Sequence, residues 1–495
     1  MKTDVPADRS RKSLFYGIAL LLLCGFIAGL VFPHTTTLAG MQDGDGMLTA
    51  LISTQNLTWY FWGQDRLLNV LPTLTHPFTN IETNLRLQVI MRAMLAYLAP
   101  LGVLVFLTRE LRLLVIAVAI ANVVIISCLS KYGLFNFYVQ HNTAGTSLVM
   151  LAATYALTYS RLPRAVMAPL VLLILCVAYA ANFALLTYAL PMIVLFGVLK
   201  RDERKRHGLF LLANFAAILV ARVHASYFGE PSTSYGMQIS WEAMVAAAKS
   251  LHEFMHLFTL ATFAFVAGLC YFCVRDRRPW EIAAAVSIGL GLVVLLANTY
   301  WVQNNGYDIR YFITAQIILT SVIGYLIAQA LLSLHLRYSF ITAFCVVALA
   351  NCVATGLGGF NAQYKELMSP TWRAQSEAVA EVAVAEHARV IAGGFWDVWA
   401  AVYETKHEQR SLPKPERMAV YGATFRGEVL REQFLASVLG KGEQNSLCFY
   451  TEADLCIQEI NARFHLAPDY RVTLKKAEAA QILNKPMLKV VFEVN

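Results

Sequence analysis

Charge is scarce in this sequence. Asp, Glu, Lys and Arg make up 15% of its 495 residues, against roughly 25% in an ordinary soluble domain. No charged residue stands at the centre of a long apolar run and no internal repeat is visible, which argues against a transporter with mid-membrane ionisable groups and two matching halves. The glycine fingerprints of nucleotide binding are also missing: Gly393-Gly394 follows a strand pattern but lacks the remaining glycines of either motif. Of the nine cysteines, Cys24, Cys128, Cys176, Cys270, Cys273, Cys345 and Cys352 fall in apolar runs, where a thiol behaves as a small apolar group. None is spaced with a histidine as metal ligands are.

What is abundant is hydrocarbon, with 57% of residues apolar. Runs long enough to cross ~30 Å of bilayer lie near 14–33, 87–107, 112–130, 145–160, 166–182, 183–199, 209–226, 256–274, 281–301, 312–333 and 339–357. The basic residues fall in alternate connections: Arg9, Arg11 and Lys12; Arg109 and Arg112; Arg161 and Arg164; Lys200 to Arg206; Arg275 to Arg278; Arg337. Those connections are cytoplasmic by the positive-inside rule. The net charge of +8 therefore reports topology and not nucleic-acid binding. The expected fold is a polytopic α-helical membrane protein of about eleven spans over residues 1–358. Its N-terminus is inside, and a small α/β domain over 359–495 lies outside. A cleaved signal peptide is the rival reading of the first run, but Leu14 to Phe32 exceeds the usual signal length.

Two outer loops are long, 34–86 and 226–255, and long loops in compact folds carry function. In the first, Met47, Leu48, Leu51 and Ile52 stand at helical spacing before Trp59-Tyr60-Phe61-Trp62, which predicts an interfacial helix with an aromatic anchor. In the second, Trp241 to Phe258 repeats that character. Beyond 358, helices are expected at 370–389, 395–407, 426–438 and 453–464, with strands at 389–393, 418–421, 446–450, 470–474 and 488–494. Cys448 and Cys456 lie in this exported part, where a disulfide and two free thiols are both open.

The candidate chemistry also sits on the outer side. Asp43 and Asp45 flank Gly44 directly after the first span, placed so that a tight turn can aim a carboxylate into a cavity. Met47 stands where a calcium loop needs oxygen, so that motif fails. Asp65, Arg66 and Asn69 share one face if their segment is helical. Arg310, in Tyr307-Asp308-Ile309-Arg310-Tyr311, enters the outer leaflet just before a span, where a guanidinium needs a partner, water or an anion. Arg222, His224, His141 and Asn142 are secondary candidates.

An inside N-terminus, a first span ending in an acidic pair, a helix, and a Trp-rich stretch reaching Trp62 and Pro72 resemble the GT-C superfamily of membrane glycosyltransferases, with its "D-E … helix … W … P" pattern. Arg310-Tyr311 is similar to the Arg-Tyr step before a late span of such enzymes, and Gly393 to Trp399 to an aromatic motif of the bacterial branch. The resemblance implies transfer of a sugar, with inversion, from a polyprenyl-phosphate donor to a hydroxyl of an envelope glycan or glycolipid at the outer face of a bacterial inner membrane. It implies Asp43 or Asp45 as general base, Arg310, Arg66 and Tyr311 on the donor phosphate, and Asp65, Asn69, Trp62, His141 and Trp396 on substrate. No cofactor is required, although the two aspartates could hold a divalent cation. The expected partners are the lipid donor, a glycan or lipid acceptor and membrane lipids. A lipid-linked polysaccharide ligase or polymerase is the alternative.

Overall fold

The computed structural model describes residues 7–34, 43–140, 143–230, 236–273, 278–333, 370–413, 418–424, 442–463 and 471–494. The first helix is α1 (Ala7–His34), followed by α2 (Gly44–Thr54), α3 (Val70–Thr75), α4 (Ile81–Leu98), α5 (Leu101–Leu107), α6 (Leu111–Cys128), α7 (Lys131–Tyr138) and α8 (Ala144–Leu157). Next come α9 (Arg164–Ala181), α10 (Leu186–Leu199), α11 (Arg204–Phe228), α12 (Trp241–Phe254), α13 (Leu257–Cys273), α14 (Pro279–Ala297), α15 (Tyr300–Asn304) and α16 (Ile313–Ser333). Among the described residues six helical stretches are long and apolar enough to cross a membrane, and four apolar ones are shorter. Together they coincide with ten of the expected spans; the eleventh, 339–357, lies outside the described residues. The chain is a multi-pass membrane protein.

Burial sorts these helices. The stretches Ile81–Leu107, Leu111–Cys128 and Ile309–Ser333 are mostly enclosed by protein. Gly324 of α16 lies so close to α6 that a Cβ there would come 2.6 Å from the Ala117 carbonyl oxygen. Close backbone approach of this kind is how helices associate where no hydrophobic force separates protein from lipid. By contrast α11 exposes Leu209, Leu212, Leu219 and Val223 along one face, the stripe expected of a helix turned toward hydrocarbon.

The C-terminal part alternates helix and strand as expected: α17 (Pro370–Ala385), β1 (Val390–Ala392), α18 (Phe395–Glu408), β2 (Tyr421–Ala423), β3 (Gly442–Cys448), α19 (Ala453–Arg463), β4 (Val472–Ile482) and β5 (Lys485–Val494). The sheet order is β2-β1-β3-β5-β4, parallel among the first three and antiparallel from β3 onward. β4 runs to Ile482, well past the expected Leu474, because its Lys, Glu and Gln residues lie on an exposed hairpin arm where no apolar pattern is needed. The expected helix at 426–438 lies outside the described residues. Cys448 and Cys456 are disulfide-bonded, joining the end of β3 to α19.

Two expectations about the first outer loop need correction. Met47–Asn56 does form a helix, yet α2 is buried on nearly every side and is no surface helix. It is clasped between α4 and α18 of the tail, with Gln55 Nε2 donating to the Val420 carbonyl at 3.0 Å. Of the aromatic anchor only Trp59 is exposed; Tyr60, Phe61 and Trp62 are buried, Trp62 against Trp399 with ring centres 5.6 Å apart. The segment after Trp62 is also not helical. Gly63 and Leu67 take positive φ of 74° and 68°, so the chain doubles back and Leu68 pairs with Tyr60. Asp65, Arg66 and Asn69 consequently share no helical face.

Candidate active site

The turn before α2 separates the roles of the two leading aspartates. Asp43 is the N-cap: its Oδ1 accepts from the Gly46 amide at 2.9 Å, satisfying one of the helix's open donors. Its Oδ2 accepts from Gln140 Nε2 at 2.5 Å. Burial pushes the Asp43 carboxyl above the ordinary carboxylate range, while the Gly46 amide, Gln140 and the charges of Arg310 and Arg92 pull it back down. Asp45, one turn position on, faces a cavity of about 560 Å³.

That cavity brings together Asp45, Asp65, Arg66, Arg310 and Tyr311 from the sequence-derived candidates, with Arg222 as well. Arg310 Nη1 lies 3.4 Å from Asp45 Oδ2, its Nε 3.7 Å from Asp308 Oδ2, and its Nη2 donates to the Tyr311 hydroxyl at 3.1 Å. Asp308 in turn accepts from the Tyr132 hydroxyl at 2.7 Å, and burial together with that carboxylate holds the Tyr132 phenol above its ordinary pKa. A second group lies on the same wall. Arg222 Nη1 pairs with Asp65 Oδ2 at 3.0 Å, and Arg66 donates to Gln64 Oε1 at 3.0 Å while its guanidinium sits 5.4 Å from the Trp301 ring centre. Trp301 hydrogen-bonds Tyr311, so it joins the two groups.

Other candidates stand elsewhere. Asn69 is buried and donates to the Thr58 carbonyl at 3.0 Å, holding the turn before α3. Trp62 packs behind the cavity, Trp396 lies on its tail side, and none of the three lines it. His224 bonds Tyr60 at 2.9 Å. His141 and Asn142 lie outside the described residues. No group of three or more His, Cys, Asp or Glu among the described residues is placed to hold a metal ion; the positive charge beside Asp45 and Asp308 is Arg310.

Several residues escaped the sequence. Gln140, Asn136 and Gln64 line the cavity, and Arg92, 3% exposed, lies behind it. Arg92 donates to Thr49 Oγ1 at 2.5 Å, to Gln88 Oε1 at 3.2 Å and to the Val139 carbonyl at 3.2 Å. It thereby ties α4 to α2 and to the residue preceding Gln140. The available signal was Arg92 inside the 87–107 run; with the helical stretch extending from Ile81 to Leu107 it stands near the middle, which corrects the expectation of no charge at the centre of an apolar run.

No family model and no curated protein matches the sequence. Among solved structures, ArnT from Cupriavidus metallidurans, crystallised with undecaprenyl phosphate, superposes with a TM-score of 0.51 at 11% identity, covering 97% of this chain and 98% of that one. The arabinofuranosyltransferase AftD from Mycobacteria superposes with a TM-score of 0.44 at 15% identity over 98% of this chain and 40% of its own. The ArnT likeness covers nearly the whole of both chains and shows that they share a fold.

Proposed function

We propose that this chain transfers a sugar from a polyprenyl-phosphate-linked donor to a hydroxyl of a cell-envelope glycan or glycolipid, at the outer face of a bacterial inner membrane. The observation that carries this reading is one cavity in which a carboxylate, Asp45, stands beside a set of arginines at the head of an apolar helix bundle. Its wall also includes Leu186, Leu295, Leu296 and Ile313, suited to a lipid-borne substrate.

Asp45 is the general base. It takes the acceptor hydroxyl's proton while the acceptor oxygen bonds to the anomeric carbon; the bond from that carbon to the phosphate oxygen breaks, and its electron pair leaves with the lipid phosphate. Displacement in one step inverts the anomeric centre. Asp43 is the less suitable base, because its two oxygens already serve Gly46 and Gln140. The leaving phosphate gathers charge, which fixed guanidinium groups stabilise in a site of low dielectric. Arg222 pairs with the one carboxylate Asp65 and Arg66 donates to the neutral Gln64, whereas Arg310 stands between two carboxylates, so we assign the phosphate first to Arg66 and Arg222. Arg310 then orients Asp45.

The test is transfer from a defined polyprenyl-phosphate sugar by the purified full-length chain, followed by mass spectrometry of envelope glycans in cells with and without the gene. Loss of one glycan substituent in the deletion strain is expected; unchanged glycans overturn the assignment.

A further inference from the structure

The sheet of the tail has two unlike edges. β2 forms one of them with three residues, Tyr421 to Ala423, all buried. β4 forms the other with eleven residues, and from Thr473 to Ala479 every one is exposed, on both faces of the strand. β4 pairs with β5 along one side, and among the described residues no strand lies along its other side. The strand contains no proline, so every residue keeps its amide donor. A long open edge is a template for one more strand, and sheets ordinarily blunt it by shortening, covering or charging it. β2 shows the first two devices. β4 carries the third, in Lys475 and Lys476, but both charges are matched within the chain. Lys475 is bulged out of the β5 register and pairs with Glu493 at 2.5 Å, and Lys476 pairs with Glu478 two positions on.

Charge decides what fits this edge. A second copy of β4, laid antiparallel across a two-fold axis, must centre on one residue, because directly opposed residues share a face of the sheet. Centred on Lys476 or on Glu478, the two strands set like charges against each other, which is destabilising. Centred on Ala477, Lys476 of each copy lies opposite Glu478 of the other, and the small Ala477 side chain meets only its own mate. We infer that the outer edge of β4 is a self-association surface, on which two copies of this chain join their five-stranded sheets antiparallel about Ala477. The contact is short, so it acts between copies confined to one membrane, where effective concentration is high. It goes beyond the transfer reading and does not depend on it.

The experiment uses the full-length chain in proteoliposomes with single cysteines placed on β4, cross-linked by a mild oxidant and read as dimer on a non-reducing gel above the wild-type background. Ala477→Cys puts two thiols at the axis, with Cβ atoms about 5 Å apart, within reach of a disulfide. Ala480→Cys puts them about 20 Å apart and should give less than about a tenth of that dimer. In the Ala477→Cys chain, Lys476→Glu or Glu478→Lys alone cuts the dimer about fivefold, since each sets like charges opposite one another, and the two together restore it to within about twofold. Equal cross-linking at 477 and 480, single reversals without effect, or a double reversal as poor as either single each overturns the inference. In cell membranes the Ala477→Cys product should have twice the mass of the chain; a product of another mass marks a different partner and overturns self-association.

Discussion

The cavity holds two arginine–aspartate groups built from the same residue types in different proportion and depth. Around Arg310 stand Asp45 and Asp308, with Asp43 and buried Arg92 behind them; around Asp65 stand Arg66 and Arg222, the latter 62% exposed at its side chain. Counting those charges, the first group is carboxylate-rich and enclosed, the second arginine-rich and open. The difference is what the proposed proton-accepting and anion-holding sides would require, since a base needs a carboxylate kept from bulk water and a leaving phosphate needs an excess of arginine over carboxylate.

The sharpest way to break this comparison is to neutralise one carboxylate in each group. Asp45→Asn is expected to lower kcat about 10³-fold, the typical contribution of a positioned general base, while Asp65→Asn changes it less than about tenfold. Single-turnover transfer from a polyprenyl-phosphate sugar reads both. If Asp65→Asn is the more damaging, the two sides have been assigned in reverse.

Depth is tested by stability. Removing one partner from an enclosed ionic network strands the others without water, so Arg92→Met should cost about 3 kcal/mol. Arg222→Met removes half of a largely solvated pair and should cost less than about 1 kcal/mol. Thermal unfolding in detergent compares them directly. Equal losses would mean that the Arg310 side is hydrated in the native protein.

How much of this was readable before folding depends on the range of the contacts. Apolar runs located the helices because lipid imposes a local rule on every twenty residues or so, and the tail's strands showed as short segments alternating with helices. Asp45, Arg66 and Arg310 were visible because charge at a membrane edge is conspicuous. Gln140, Asn136 and Gln64 were not: neutral amides near span ends look like ordinary loop residues, and only the fold carries α7 to the α2 turn. The reading of Asp65 to Asn69 as one helical face failed at Leu67, a leucine at positive φ, which local propensity disfavours and the Tyr60–Leu68 pairing imposes. Likewise α2 reads as amphipathic only until the tail covers its second side.

The anion-holding side is sharpened by substrate dependence. Arg66→Ala should raise the donor KM about 30-fold and leave the acceptor KM unchanged, since its guanidinium is proposed to meet only the phosphate. Arg310→Lys should instead lower kcat with the donor KM nearly constant, because a lysine keeps the charge but cannot serve Asp45, Asp308 and Tyr311 from one planar group. A donor KM that moves with Arg310 and not with Arg66 would return the phosphate to Arg310.

The smallest effect separates Asp43 from Asp45 through pH. Burial raises the Asp43 pKa above its unfolded value, so as pH climbs past the ordinary carboxylate value of about 4 the unfolded chain releases its proton first. The unfolded state then binds fewer protons than the native state, and stability falls with rising pH until Asp43 itself ionises, after which its contribution is level. Asp43→Asn keeps an oxygen for the Gly46 amide and removes the titration, so its stability should be flatter than that of wild type as pH rises from the ordinary carboxylate value. The difference is read from thermal unfolding in detergent at successive pH values. Were Asp45→Asn to flatten the profile instead, the buried, raised carboxyl would be the one facing the cavity, and the division of labour within the α2 turn would be reversed.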